Sequence, residues 1–311
     1  MMNRSGTSHW PYSQPICPEH HADVVMLKLS VAILTYNRRA QALKALESVI
    51  EQGMSDMEIV VVDSASSDGT ADAIAAQYPS VKLIRLPRNL GSPGGRNHLF
   101  ANCSGKYIFV LDDDGCLCDG TLGGVIEILD GQPDVGVVVT RRVESREDLP
   151  LRQEDNNLIE VGSFSAGMVA FRNEVLNKVG YYPEHFFLIA EEAHLGLRTM
   201  NAGYRIVQAQ NLFIEHPAEG GSTGDTKWDF YRYRNRFLVV LELFPGWICV
   251  KYLLISMAAY LVQSIKRGTI LKYLHAIADI VLHLPATMHR RKPVSRDAAV
   301  KYLQLRGKAS L

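Results

Sequence analysis

The clearest regularity in this 311-residue chain is a series of short apolar runs that stop on polar residues. Leu29–Thr35, Met57–Asp63, Val81–Leu86 and Tyr107–Leu111 are four such runs. Short, near-continuous runs of this kind predict strands of a parallel sheet buried on both faces. Between the first two, Leu43, Leu46, Val49 and Ile50 recur at helical spacing. A second helix is predicted to run to Tyr78, with Asp68 as its candidate cap. Strands alternating with helices over short connections predict an α/β sheet wound by right-handed crossovers. Thr35, Asp63, Leu86 and the triple acid Asp112-Asp113-Asp114 then end their strands on one edge, where ligands bind in open α/β sheets.

The pattern weakens further along. A helix is predicted over Leu122–Leu129, a strand over Val135–Val139, and an exposed charged loop over 141–157. Phe164–Phe171 reads as a buried strand whose glycine marks a close approach by something else. Glu191 and Glu192 open a helix whose Leu195 and Leu197 face inward, and acids are favoured in a first helical turn. A strand-like Asn211–Ile214 precedes Glu215-His216-Pro217.

Near Asp225 the character changes. Trp228, Phe230, Tyr231 and Tyr233 interleave with Arg232, Arg234 and Arg236, which reads as a surface for a phosphate, an acceptor or a lipid headgroup. The apolar segment Tyr252–Val262, bounded by Lys251 and Gln263, falls short of the roughly 20 residues that a spanning helix needs. Helices that pack on the core or lie on a membrane are expected, with His289-Arg290-Arg291-Lys292 suited to anionic lipid. The chain therefore divides into a leader (1–26), an α/β domain (27–225) and a helical region (226–311).

Composition narrows the class of protein. The 33 basic and 33 acidic residues cancel, which argues against a nucleic-acid binder driven by bulk charge. Five cysteines make no disulfide framework and point to a reducing compartment. Residues 1–26 lack the apolar core of a secretory signal, so the expected location is the cytoplasm, or the inner face of its membrane.

Candidate chemistry gathers at the triple acid. Three adjacent carboxylates repel one another, and their oxygens suit a hard divalent cation such as Mg²⁺ or Mn²⁺. Alone, such a stretch fits a solvated acidic turn or a helix N-cap better than a metal site. The loop Pro87–Asn97 lacks both the dinucleotide fingerprint G-x-G-x-x-G and the P-loop ending, leaving a glycine-rich turn with Arg88 and Arg96 as an anion site.

In their order and spacing these motifs resemble the family 2 glycosyltransferases, inverting enzymes of the GT-A fold, over residues 29–240. Val31–Arg38 is similar to the family's opening strand, which implies that Thr35, Tyr36, Asn37 and Arg38 line a nucleotide site. Val61–Thr70 looks like its second signature, with Asp63 accepting hydrogen bonds from the donor base and Asp68 close by. Asn89–Asn97 resembles the nucleotide-side loop, which implies that Asn89, Gly91 and above all Arg96 meet the donor. Leu111–Asp114 falls at the Asp-x-Asp metal motif, so Asp112 and Asp114 take its two positions and Asp113 is the middle residue or a donor contact. His216 matches a histidine that completes the metal site. Ala190–Arg198 is similar to the segment that carries the catalytic base, placing Glu192 in that role with Glu191 as the alternative, and His194 stands where a second acid is common. No Gln-x-x-Arg-Trp motif is present, which implies transfer of one sugar at a time. The resemblance implies a nucleotide-diphosphate sugar donor, a divalent metal (Mn²⁺ or Mg²⁺) and a glycan or lipid-linked acceptor in surface polysaccharide or glycolipid assembly. A non-catalytic nucleotide-sugar or glycan-binding module on the same fold is the alternative, which acids at both the metal and base positions disfavour.

Overall fold

The computed structural model describes residues 27–150, 157–216 and 226–306; the leader 1–26 lies outside them. The apolar runs become β1 (Leu29–Thr35), β2 (Met57–Asp63), β3 (Lys82–Arg85) and β4 (Tyr107–Asp112). They are joined by α1 (Arg39–Ile50), α2 (Thr70–Gln77) and α3 (Gly91–Asn102). These four strands are parallel in the order β3-β2-β1-β4. Register aligns their carboxyl ends, with Thr35 beside Asp63 and Leu34 beside Asp112.

Beyond the acidic turn come β5 (Cys116–Leu117), α4 (Thr121–Gly131), β6 (Val135–Val143), β7 (Leu158–Glu160), β8 (Met168–Arg172) and α5 (Asn173–Val179). Then follow α6 (Glu191–Asn201) and β9 (Arg205–Glu215). This half of the sheet is mixed: β8 runs antiparallel to both β4 and β6, and β9 runs parallel to β6. Two pairings matter for the site. Where β8 meets the end of β4, Gly167 accepts the Asp112 N–H at 3.0 Å, and a Cβ at Gly167 would land on the Asp112 carboxylate. Asp112 is thus the group whose approach the glycine permits. Antiparallel β5 and β9 pair Cys116 with Glu215, which brings His216 back beside the acidic turn.

Alternate residues of each strand feed two apolar layers. Phe109 and Leu111 pack with Leu46 and Leu122 on one face, while Ile108 and Val110 pack with Leu99, Leu195 and Phe237 on the other. The second layer continues into α7 (Asp229–Leu243), α8 (Gly246–Lys266), α9 (Ile270–Leu282) and α11 (Arg296–Leu305), which flank the short α10 (Leu284–Arg290). The helical region therefore shares one core with the sheet.

Two expectations change here. The run Tyr252–Val262 is only the middle of α8, whose 21 residues are long and apolar enough to cross a membrane by length and composition. Lys251 does not bound the helix but lies on its exposed side. The interleaved arginines form no open cationic surface, because most have acids inside the fold. Arg232 and Arg267 both meet the buried Asp229, and Arg234 reaches Asp279 at 2.6 Å. Of the basic run near 290, Arg290 pairs with Glu242 at 2.9 Å and Arg291 donates to the carbonyls of Leu241 and Phe244.

Glu242 on α7 is a second internal junction. It is almost fully buried and lies 3.0 Å from His185, 3.3 Å from His194 and 2.9 Å from Arg290. Burial works to raise its pKa, but these partners outweigh it and hold the carboxyl well below the ordinary range. Burial takes the His194 imidazole down to about 4 despite the carboxylate beside it. Both groups have folded values below their unfolded ones. Their contributions are complete above the unfolded histidine value of about 6.5 and are lost as pH falls. Unfolding free energy measured in urea is expected to drop by about 2–3 kcal/mol between about pH 6.5 and 4. In His194→Gln the decline should begin only near the glutamate range, and an unchanged wild-type-like slope there would exclude His194 as its source.

Candidate functional site

Asp112 and Asp114 face His216, whose Nε2 lies 3.7 Å from Asp112 Oδ2 and 3.0 Å from Asp114 Oδ1. Asp113 lies beside Thr35 and 3.1 Å from Arg38 Nη1, and the same Arg38 nitrogen also pairs with Asp114. Hydrogen bonds that His216 donates to Asp112 and Asp114 lift its imidazole to about 10, against the effect of its burial. Burial, offset in part by Arg38, raises Asp113 to about 6. One ligand atom from each of Asp112, Asp114 and His216 fits within a 4.8 Å separation, and all three residues are partly open. Two carboxylate oxygens and an imidazole nitrogen form a donor set that Mn²⁺ or Mg²⁺ accepts, with open positions for further oxygen ligands.

The first two strand ends make an adjoining edge. Asp63 is 2% exposed; its Oδ1 accepts from Ser66 N at 2.9 Å, and its buried Oδ2 has no hydrogen-bond partner among the described residues. An orphaned acceptor at this depth is costly. Asn37, at φ +52°, ties the two loops together by accepting from Ser67 N and donating its own N–H to Ser66 Oγ. Asp68 accepts from Arg39 N at 3.2 Å and from Thr70 N at 3.0 Å, so it serves the starts of both α1 and α2. Tyr36 is exposed beside them.

The glycine-rich loop is shaped by its own contacts. Asn89 Oδ1 accepts from Gly91 N at 2.8 Å, and Gly91, at φ +75°, leaves room for the Phe187 carbonyl where a Cβ would otherwise lie. Arg96 does not lie open. It is 7% exposed, with Nη2 2.6 Å from Asp112 and Nη1 bonded to Ser92 Oγ and 3.9 Å from Glu191. Ser92 Oγ in turn donates to Glu191 Oε1 at 2.7 Å. Ser92 and Arg96 therefore join the acidic turn to the start of α6. Ser92 was not singled out by the sequence motifs, although its position one turn before Arg96 on a helix was readable.

The two glutamates differ in setting. Glu191 is 2% exposed and held by Ser92 and Arg96, whereas Glu192 remains partly accessible. Burial, and the charge of Glu191 beside it, raise Glu192 to about 8. His194 points instead to Glu242, away from the acidic turn. The approach to α6 is strained: Ile189 and Ala190 have φ of +72° and +74°. Asn235 on α7, fully buried, donates to the carbonyls of Leu188 and Ile189 at 2.7 and 3.0 Å. The role of Asn235 at this turn was not readable in the sequence, because its partners lie 46 and 47 positions away.

This chain is similar to known proteins in sequence and in fold. The family model described as Glycosyl transferase family 2 matches residues 30–195. Succinoglycan biosynthesis protein ExoO of Rhizobium meliloti is 36% identical over 103 residues, 33% of this chain and 30% of that protein. A GalNAc(5)-diNAcBac-PP-undecaprenol beta-1,3-glucosyltransferase of Campylobacter jejuni is 34% identical over 106 residues, 33% of this chain and 34% of its own. The chain spans about a third of the length of the curated relatives it matches. The solved mannosyltransferase PcManGT from Pyrobaculum calidifontis, in complex with GDP-Man and Mn²⁺, superposes with a TM-score of 0.56 at 20% identity, covering 89% of this chain and 79% of that one. That likeness establishes the GT-A fold.

Asn235→Ala removes both donors from the strained turn. A loss of about 1–3 kcal/mol is expected, read as a lower urea midpoint. A midpoint within error of the wild type would mean that Asn235 does not hold the turn.

Proposed function

The chain belongs to glycosyl transferase family 2, and from that premise we propose that it moves a single sugar, with inversion, from a nucleotide-diphosphate sugar to an acceptor hydroxyl. The observation that carries this reading is the buried Arg96, which joins Asp112 to the Glu191–Glu192 pair in one polar cluster. Glu192, partly accessible and raised to about 8, is a base of useful strength near neutral pH. It takes the acceptor O–H proton as that oxygen bonds to the anomeric carbon. The bond from that carbon to the diphosphate oxygen breaks with its electron pair, and the nucleoside diphosphate leaves from the opposite face.

Other residues bind and orient. The free Oδ2 of Asp63 accepts an N–H of the donor base, with Thr35, Tyr36, Asn37 and Arg38 beside it and Asp68 bracing the loop. Asn89 and Gly91 set the start of α3 near the donor, and Asp113 orients Arg38. Glu191, tied by Ser92, positions Glu192 and leaves the base role to it. Asp112, Asp114 and His216 are the residues that would hold a divalent cation, which when bound offsets charge on the departing diphosphate. The Mn²⁺ and GDP-Man of the Pyrobaculum enzyme support that part of the reading, and the undecaprenol-linked substrate named for the Campylobacter relative supports a lipid-linked glycan acceptor. Surface polysaccharide or glycolipid assembly, in the cytoplasm or at its membrane, is the corresponding setting.

Glu192→Gln is expected to lower kcat about 10²–10⁴-fold with little change in donor affinity. For the wild type, kcat/KM should climb with pH until Glu192 ionises near 8. Near-normal turnover by a folded Glu192→Gln protein would remove it from the base role. Wild-type protein that binds a nucleotide-sugar yet never turns one over would instead establish the binding-module alternative. Binding of a nucleoside diphosphate, followed by calorimetry, should strengthen with Mn²⁺ in the wild type and lose that dependence in Asp114→Asn and His216→Ala. Metal-independent binding in the wild type would argue against the cation site.

A further inference from the structure

The outer side of the helical region is unlike the rest of the surface. Of the seventeen large apolar side chains exposed among the described residues, thirteen lie on α8, α9 and α10. They recur every three or four residues: Trp247, Leu254, Leu261 and Ile265 on α8, then Leu271, Leu274 and Leu282 on α9, with exposures from 40% to 78%. The opposite sides of both helices are committed to the fold, through Ile248, Cys249 and Ser264 on α8 and Tyr273, Ala276 and Ile280 on α9. Both helices pack on α7 and on each other. Their apolar stripes therefore share the side away from α7. A contiguous patch of this extent is rare on a soluble monomer and marks a docking face.

Charge identifies the occupant. The chain as a whole is neutral, yet residues 246–292 contain seven lysines and arginines, of which Arg267 and Arg290 pair with Asp229 and Glu242, and one acid, Asp279, which Arg234 engages. Lys251, Lys266 and Lys292 remain exposed around the apolar stripes. Lys251 lies over the Trp247 ring at 5.5 Å, a pairing of amphipathic side chains suited to the level of lipid headgroups. We propose that the joint face of α8 and α9 docks flat on an anionic lipid bilayer. A second copy of the chain fits poorly, because a two-fold contact would gather two sets of the same exposed lysines in one interface with no free acid on this face to offset them. A spanning α8 fits poorly too. The helix is anchored to the protein near both ends, and Lys251 lies about one turn inside it. The inference stands on the surface alone and holds whether or not the chain transfers sugar.

The test is sedimentation of the full chain with vesicles of phosphatidylcholine, with and without phosphatidylglycerol. Binding to the anionic vesicles is expected. Leu254→Glu with Leu274→Glu should weaken it by about tenfold or more, with the thermal melt preserved because both side chains are already exposed. Lys251→Gln with Lys266→Gln should cost about tenfold on the anionic vesicles alone. Protein that stays in solution with both vesicle types overturns the proposal, as does binding that the paired glutamates leave unchanged. A concentration-dependent dimer that the glutamates dissolve, without vesicle binding, assigns the face to a second copy. Release from vesicles by alkaline carbonate is expected for flat docking, and retention would mean that α8 spans.

Discussion

The geometry of the site depends on one buried cation. Without Arg96, the carboxylate that ends β4 and the one that opens α6 would meet across a space with no positive charge between them. In a region of low effective dielectric their repulsion would be several times stronger than in water. With Arg96 in place, Asp112, Ser92 and Glu191 become parts of one hydrogen-bonded group. Arg38 does comparable work for Asp113 and Asp114. Around these two arginines and His216 lie five carboxyl groups, so the balance is incomplete. The shortfall falls on the least tightly held acid: Glu191 is clasped by two donors, and Glu192 keeps a raised proton affinity. A site organised this way favours both proton acceptance by Glu192 and capture of an added cation.

How much of this could be read from the sequence follows from the range of each interaction. Parallel strands buried on both faces are apolar at nearly every position, so β1, β2 and β4 announced themselves, together with the polar residues that end them. Gly167 was legible as a place of close approach, but its partner Asp112, more than 50 residues earlier, was not. β5 and β7, two and three residues long, are too short to carry any periodicity. Yet β5 is the strand that returns His216 to the acidic turn. The direction of β8 was equally hidden, since strand polarity depends on which distant partner it finds.

Arginine was the residue type most easily misread. In a linear pattern Arg232 and Arg234 look like a cationic surface, because nothing nearby in sequence reveals that Asp229 is buried or that Asp279 will fold back from 45 positions on. Arg96 looked like a ligand contact for the same reason. A guanidinium has five donors, and a protein that buries one must supply acceptors. Asp112 and Ser92 supply them to its two terminal nitrogens, so the residue most suggestive of an open anion site instead acts as internal framework. Lys251 misled in the opposite direction. A charge beside an apolar run suggests a helix end, yet a long aliphatic stem lets lysine sit within an exposed helical face.

The change of character near residue 226 marks a change of element type, while the framework of the site continues across it. Two successive non-glycine residues in the left-handed region, Ile189 and Ala190, are expensive on their own. They are placed directly before the glutamates, and their conformation decides where those carboxylates point. The donors that satisfy this turn come from Asn235, and the anchor of His194 one turn further along α6 is Glu242. Both belong to α7. Tyr231, also on α7, stacks on Phe187, whose carbonyl receives the first amide of the glycine-rich helix after Gly91. One helix outside the sheet thus sets the glycine-rich loop and the turn before Glu192. The same helix supports α8 and α9 on its other flank. A shift of those helices would have to pass through α7, and so through Asn235, before it could reach the site.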